Sequence, residues 1–419
     1  MSAWTCTLSS PSPLQHSFTQ NPATSETPSS AQWIDTLRSQ VRLNCFKEAI
    51  FTYIRMNVEG IRPDNFVFPA VLKAATGLQD LNLGKQIHGS VVKFGYDTSS
   101  VTVSNSLIHL FGRCGGSIHD VYKVFDRITE RDQVSWNSLI NALCKFDKWE
   151  LALEAFRLMG LDGFEASSFT LVSMALACSN LPRTDGLRIG KQVHGYSLRI
   201  DDRRTYTNNA LMSMYAKLGR VDDSRAVFEL FADRDIVSWN TIISSFSQND
   251  RFREALDNFG VMIREEIKPD RVTISSVVPA CSHLALLDVG KQIHCYVLKN
   301  DDLIGNSFVD SSLVDMYCNC QQVENGRRVF DSALKRSIGI WNAMLAGYTQ
   351  NGFFKEALML FTEMMEFSGL SPNPTTVASV LPACVHCEAF SLKEVIHGMV
   401  AVFDGGLKFG RQCCVQGVA

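Results

Sequence analysis

The chain has 419 residues, 40 of them Lys or Arg and 43 Asp or Glu, for a net charge of −3. That balance excludes bulk electrostatic binding to nucleic acid or acidic membrane, so any nucleic-acid contact has to come from a local surface. Hydrophobic residues at 46% and charged residues at 20% describe a folded chain, and no stretch reaches the roughly 18 apolar residues of a membrane span. At about 150 residues per domain the length alone suggests two or three domains. The 13 cysteines, from Cys6 to Cys414, form no compact spacing framework. A chain this long builds its core without staples, so reduced thiols and no disulfides are expected.

Residues 1–30 carry 13 Ser or Thr and 4 Pro, with no Lys or Arg and one acid, Glu26. There is no apolar core of a secretory signal. Segment 1–29 reads as a disordered, hydroxyl-rich, acid-poor organelle transit peptide. A mitochondrial presequence carries several Arg, and the first basic residue here is Arg38, which favours the chloroplast over the mitochondrion. A plain disordered N-terminus of the same composition is the other reading.

From residue 30 the text repeats. Tryptophans at 33, 136, 239 and 341 are separated by 103, 103 and 102 residues. Three of them sit in Ser135-Trp136-Asn137, Ser238-Trp239-Asn240 and Ile340-Trp341-Asn342. A second set is Gly84-Lys85-Gln86-Ile87-His88, then its counterparts ending at His194 and His294, and a degraded copy ending at His397. A third is Asn105-Ser106-Leu107, Asn209-Ala210-Leu211 and Ser311-Ser312-Leu313. Each long period divides into three units of 31–37 residues. They tile as 30–64, 65–100, 101–132, 133–167, 168–204, 205–235, 236–270, 271–306, 307–337 and 338–373, with an eleventh from 374.

Within a unit the apolar spacing is helical. Ala152, Phe156 and Met159 recur as Ala255, Phe259, Met262 and as Ala357, Phe361, Met364, along one helix face. Pro63, Pro269 and Pro372 are expected to end those second helices. Each unit is then a helix–turn–helix hairpin too small to bury its own apolar face, and stacking yields an all-α solenoid.

The tetratricopeptide pattern matches Trp136 and Leu139 but wants Gly where Ile140 stands. The runs around Ser135–Met159, the Gly-Lys-Gln-x-His sets and the short unit Val314–Phe330 instead resemble the plant pentatricopeptide repeat (PPR) family. The alternation of 35-residue, longer and shorter units is similar to its PLS subclass. The resemblance covers about residues 30–400. It implies a right-handed α-solenoid superhelix of ten to eleven repeats and sequence-specific binding of single-stranded, pyrimidine-rich organellar mRNA. It also implies a role in C-to-U RNA editing, with a cytidine deaminase-domain protein and organellar editing factors supplied in trans. Two other readings stay open: an RNA stabilisation or processing factor, and a tetratricopeptide-like protein-interaction scaffold.

The resemblance assigns base reading to the fifth residue of a motif and the last residue before the next. Carried onto this chain, the pairs are Asn105 with Asp132, Asn137 with Ser167, and Asn209 with Asp235, followed by Asn240 with Asp270, Ser311 with Ser337, and Asn342 with Asn373. A short amide can pair with the Watson–Crick edge of a splayed base while Asp or Asn holds it. By the family's rule Asn with Asp favours U, and Asn with Ser or Asn leans to C or another pyrimidine, which gives a core 5′-U-C-x-U-U-x-x-Y-3′. Ile34, Pro69, Val172 and Ser275 leave the legible pattern. Plain capping and turn preferences would also account for any single Asn or Asp.

Three decoys remain. Cys384-Val385-His386-Cys387-Glu388 overlaps Cys-x2-Cys with His-x-Glu, whereas a zinc deaminase needs them on two separate elements. The repeated Gly-Lys-Gln lacks both the spacing and the Ser/Thr of a phosphate loop. The recurring His88, His194, His294 and His397 read as packing residues. No catalytic site, metal or cofactor is expected. After about Val400 the pattern is lost, and 401–419 reads as an irregular tail of a truncated, alternatively spliced or mis-assigned product.

Overall fold

The computed structural model describes residues 30–202, 204–230 and 233–387. The transit segment, His397 and the tail after 400 lie outside them. Every regular element among the described residues is a helix, and these form two compact units that divide between Thr129 and Glu130.

In the first unit α1 (Ser30–Arg42) pairs with α2 (Phe46–Val58), and α3 (Val67–Gly77) with α4 (Leu81–Lys93). A one-turn α5 (Tyr96–Ser99) then leads to α6 (Val101–Arg113) and α7 (Ile118–Phe125). In the second unit the pairs are α8 (Gln133–Lys145) with α9 (Trp149–Leu161), α10 (Ser168–Ser179) with α11 (Arg183–Arg199), and α12 (Thr205–Lys217) with α13 (Val221–Leu230). They continue as α14 (Ile236–Gln248) with α15 (Phe252–Arg264), α16 (Arg271–His283) with α17 (Leu287–Leu298), and α18 (Ser307–Asn319) with α19 (Val323–Ser332). The series ends with α20 (Ile338–Gln350), α21 (Phe354–Phe367) and α22 (Pro374–His386). Within each unit every first helix packs on the first helix of the next hairpin, α1 on α3 on α6 and α8 on α10 through to α22. The chain is an all-α solenoid.

The apolar faces point where the helical spacing put them. Ala152, Met159, Ala255, Met262, Ala357, Phe361 and Met364 are buried, with Phe156 and Phe259 half-buried. The recurring tryptophan forms the joint between successive hairpins: Trp239 meets Phe228 of the preceding second helix edge-on, with ring centroids 4.9 Å apart, and Trp341 meets Phe330 at the same separation. Aromatic rings of this size dominate such an interface.

The turn inside most hairpins follows one recipe, the α10–α11 turn through Asn180 and Pro182 being built without it. A residue in the left-handed region, such as Asp250 (φ 60°), Ala285 (φ 52°), Gln321 (φ 62°) or Gly352 (φ 79°), closes the first helix. The next backbone N–H then reaches back to the last turn, as Arg251 N does to Phe246 O (2.9 Å) and Phe353 N to Tyr348 O (2.9 Å). These bonds satisfy carbonyls that the helix end leaves orphaned.

The same geometry corrects the expectation for the prolines. Helices α2 and α15 stop at Val58 and Arg264, before Pro63 and Pro269. The reversal is made by Gly60 (φ 76°) and Glu266 (φ 58°), with Ile61 N bonded to Met56 O and Ile267 N to Met262 O. Pro269 and Pro372 instead lead into Asp270 and Asn373, the capping residues of α16 and α22.

Ala285 carries a β-carbon in a conformation that costs an L-residue about 1–2 kcal/mol, where the last complete hairpin uses Gly352. Ala285→Gly is expected to stabilise the chain and Gly352→Ala to destabilise it, each by about 0.5–1 kcal/mol once the glycine's unfolded-state entropy is counted, with the thermal midpoint moving in the same direction. Paired melting curves followed by circular dichroism check the opposite signs.

Candidate nucleic-acid interface

Several first helices begin on a residue whose side chain accepts the amides of the first turn. Asp132, Ser167, Asp235, Asp270 and Asn373 are N-caps of α8, α10, α14, α16 and α22, each accepting from the third residue of its helix. Ser337 occupies the same place on α20 without a side-chain cap bond. The last residue of every expected pair is therefore a helix cap. The fifth residues are not. Asn105, Asn137, Asn209, Asn240, Ser311 and Asn342 each lie five residues into a first helix, beyond the reach of capping. Asn105, Asn209, Asn240 and Asn342 are buried, at 7–9% exposure, and Asn137 and Ser311 are half-buried.

What holds these amides is the cap of the next motif. Asn137 Nδ2 donates to Ser167 Oγ (3.1 Å), Asn240 Nδ2 to Asp270 Oδ1 (3.0 Å) and Asn342 Nδ2 to Asn373 Oδ1 (3.2 Å). Asn209 faces Asp235 closely enough to help lower the pKa of its carboxyl. Ser311 and Ser337 share no hydrogen bond among the described residues, although both hydroxyls lie near the open side of Gly339. Asn105 belongs to the first unit and Asp132 to the second. Of the unread positions, Val172 and Ser275 occupy the same fifth place in α10 and α16, while Pro69 is the third residue of α3.

Three residues before Pro69, Asn137, Val172, Asn209, Asn240, Ser275 and Ser311 lies a feature that motif spacing does not single out, whereas Thr102 and Gly339 stand there before Asn105 and Asn342. Phe66, Val134, Phe169, Tyr206, Val237, Val272 and Phe308 are exposed, Phe169 by 70% and Phe308 by 75%. A second-position apolar residue out of phase with the buried face was the readable signal. Phe169 and Tyr206, on successive first helices, stack with centroids 5.7 Å apart. Val237 and Val272 flank Asn240 and Asp270 in an open recess of about 330 Å³ that also takes in Ser213, Thr241 and Gln248. A flat apolar-edged slot with an amide and a carboxylate in its floor can take a planar heterocycle between its walls and bond its edge. The exposed Lys145 and Lys217 end α8 and α12.

The recurring histidines pack, as their position suggests. His194 Nδ1 lies 3.0 Å from Tyr215 Oη, His294 Nδ1 lies 2.9 Å from Tyr317 Oη, and His88 stands edge-on to Phe111. Burial holds all three imidazoles below their ordinary pKa. Burial likewise pushes the Cys144, Cys178 and Cys318 thiols up to about 12, so these are inert core residues. No group of three metal-type side chains converges among the described residues.

The PPR repeat family matches residues 131–180, 234–283 and 336–386, and a single PPR repeat matches 209–236. A chloroplastic pentatricopeptide repeat-containing protein of Arabidopsis thaliana is 57% identical over 368 residues, 88% of this chain and 41% of that protein. The chain belongs to the PPR repeat family. A mitochondrial member from the same plant is 33% identical over 353 residues, covering 83% of this chain and 62% of the relative. This PPR chain thus spans less than two thirds of the length of these relatives. The crystal structure of the pentatricopeptide repeat protein PPR10 from maize matches with TM-score 0.60 at 17% identity, over 90% of this chain and 59% of that one. PPR10 in complex with an 18-nt psaJ RNA element matches with TM-score 0.62 at 15% identity, over 91% and 62%. At that identity the likeness is one of fold.

The Asp235 carboxyl is raised by burial, but hydrogen bonds from the Ser238 side chain and backbone and from Asn209 outweigh this and hold it below the usual carboxylate range. A depressed folded-state pKa adds stability that is present above the unfolded value and lost as pH falls through the folded one. Asp235→Asn is therefore expected to be less stable than the parent at neutral pH and to converge with it at acid pH. Urea midpoints measured from pH 7 down to about pH 3 test the convergence.

Proposed function

We propose that this PPR chain binds a single-stranded, pyrimidine-rich organellar transcript and reads it one nucleotide per hairpin. The observation that carries this reading is the recurring pair of a fifth-position amide and the following cap, seen at Asn137–Ser167, Asn240–Asp270 and Asn342–Asn373. A structural cap alone needs no buried amide thirty residues away. The exposed Val134 and Val237 beside the first two pairs supply walls for a base, worth on the order of 1–3 kcal/mol per stacked base in single-strand binders. Binding of that kind does not need a basic surface, which suits a net charge of −3.

The finer role is C-to-U editing specificity, with a cytidine deaminase-domain protein and organellar editing factors acting in trans. The PLS-like alternation of motif lengths supports it. A chloroplast setting is supported by the composition of residues 1–29 and by the chloroplastic name of a 57% identical relative, with mitochondrial relatives marking the alternative. The expected register is 5′-U-C-x-U-U-x-x-Y-3′, from Asn105 to Asn373.

Random single-stranded RNA offered to the full chain at one stated salt concentration is expected to enrich this core. Asn240→Ala should weaken binding of the enriched RNA by about 1–3 kcal/mol and relax selection at the fifth nucleotide alone. An unenriched pool from a folded, helical sample would leave a peptide-binding scaffold as the reading.

A further inference from the structure

The amides of Asn137, Asn240 and Asn342 have a second partner that the pairwise reading leaves out. Thr170, Thr273 and Thr376 are fully buried third residues of α10, α16 and α22. Each hydroxyl faces the asparagine carbonyl of the preceding hairpin, with Oγ1 to Oδ1 distances of 2.5, 2.5 and 2.7 Å. A threonine hydroxyl has one hydrogen to give, and in the second pair two acceptors compete for it. Asp270 Oδ1 lies 3.0 Å from Thr273 Oγ1 but already receives the amides of Val272 and Thr273 and the Asn240 side chain. The hydrogen therefore goes to the nearer Asn240 carbonyl. At Ser167 the bonds close into a ring: Asn137 Nδ2 to Ser167 Oγ, Ser167 to Thr170 Oγ1, and Thr170 to Asn137 Oδ1.

The other class of step is built differently. After two of the three short motifs the third residue is Ser135 or Ser238, and its hydroxyl donates to the cap, Asp132 or Asp235, at 2.8 Å in both, while after the other it is Ile340. The Asn209 carbonyl is buried there with no partner among the described residues.

We infer that Thr170 is a specificity-positioning residue: beside a cap that can donate or accept, its hydroxyl sets which end of the reading asparagine is donor and which is acceptor as it faces a pyrimidine, whereas Thr273 and Thr376 stand beside caps that already do so. The inference rests on the RNA reading above and goes further than it. Cytosine and uracil have similar shapes but opposite edges. Cytosine offers an acceptor at N3 beside a donor at N4, and uracil a donor at N3 beside an acceptor at O4. A carboxamide turned by half a revolution exchanges its own donor and acceptor, so an unanchored asparagine blurs the choice that its cap makes. Asn137, Asn240 and Asn342 share one polarity, Nδ2 to the cap and Oδ1 to the threonine, so the cap supplies the difference between C and U. The cap also decides how much the threonine matters. Asp270 only accepts, and the Asn373 Oδ1 that caps Thr376 N is likewise an acceptor, so these alone keep the Asn240 and Asn342 nitrogens on their side. Ser167 can donate or accept, so there the threonine is what fixes the polarity.

The test uses the full chain and RNA pairs that differ only in C or U at the second or fifth nucleotide of the core. Thr170→Val, which keeps the shape and removes the hydroxyl, is expected to cut C/U discrimination at the second nucleotide about three- to tenfold, the worth of one net hydrogen bond. Selection at the fifth should be unchanged, and Thr170→Ser should restore the second. Thr170→Ala, which also removes the hydroxyl, is expected to act as Thr170→Val does and covers a Thr170→Val chain that fails to fold. Thr273→Val should leave the fifth as it was. Undiminished discrimination in a folded Thr170→Val or Thr170→Ala chain overturns the inference while the RNA reading stands. Equal losses for Thr170→Val and Thr273→Val also overturn it, because packing alone would produce them. A parent chain that separates C from U at neither position overturns the RNA reading and the inference with it.

Discussion

A helix starts with backbone N–H groups that have no partner inside the helix, and a solenoid of short helices repeats that requirement at every hairpin. Here the requirement is met by the residue that also anchors the asparagine of the hairpin before. Asp270 receives Val272 N and Thr273 N as a cap and Asn240 Nδ2 as a clamp, all on one oxygen. Folding and the candidate reading surface therefore share atoms. The cap cannot be varied freely to suit a base, because only a small set of side chains caps a helix well. The menu at the last position, Asp, Ser or Asn in this chain, is the overlap between good caps and good partners for an amide.

That sharing bears on a choice that the sequence leaves open. Capping preference and base reading compete as explanations of an Asn or Asp only if one residue does one thing. The structure divides the labour. Ser167, Asp270 and Asn373 are caps, whereas Asn137, Asn240 and Asn342 sit a turn further in and touch no helix end of their own. The cap is thus required by the fold whatever is bound, and the amide is held by the side chains of the next hairpin and not by a helix end of its own.

Much of this was legible because a repeat is a self-alignment. The 103-residue spacing of Trp136 and Trp239 revealed the hairpin period, and the Ala–Phe–Met spacing revealed which face of α9, α15 and α21 is buried. The places where the reading fell short share a cause. Pro269 was read as a helix stop, but the backbone had already reversed at Glu266, whose left-handed conformation has no reliable sequence mark outside glycine. The exposed Val237, Phe169 and Phe308 were passed over because a lone apolar residue out of phase is usually unremarkable. Thr273 was invisible as a partner of Asn240, since contacts between residues 33 positions apart follow from packing and not from local pattern.

The central claim is that one cap and one amide together choose one base. Its most direct measurement is a change of cap without a change of amide. In Ser167→Asp the cap is kept, and the Asn137 pair becomes the Asn–Asp pair found at Asn240 and Asp270. Selection from random RNA by the full chain is expected to move the second nucleotide of the core from C to U and leave every other position as it was. An unchanged second nucleotide, or a change spread over several positions, would contradict the account.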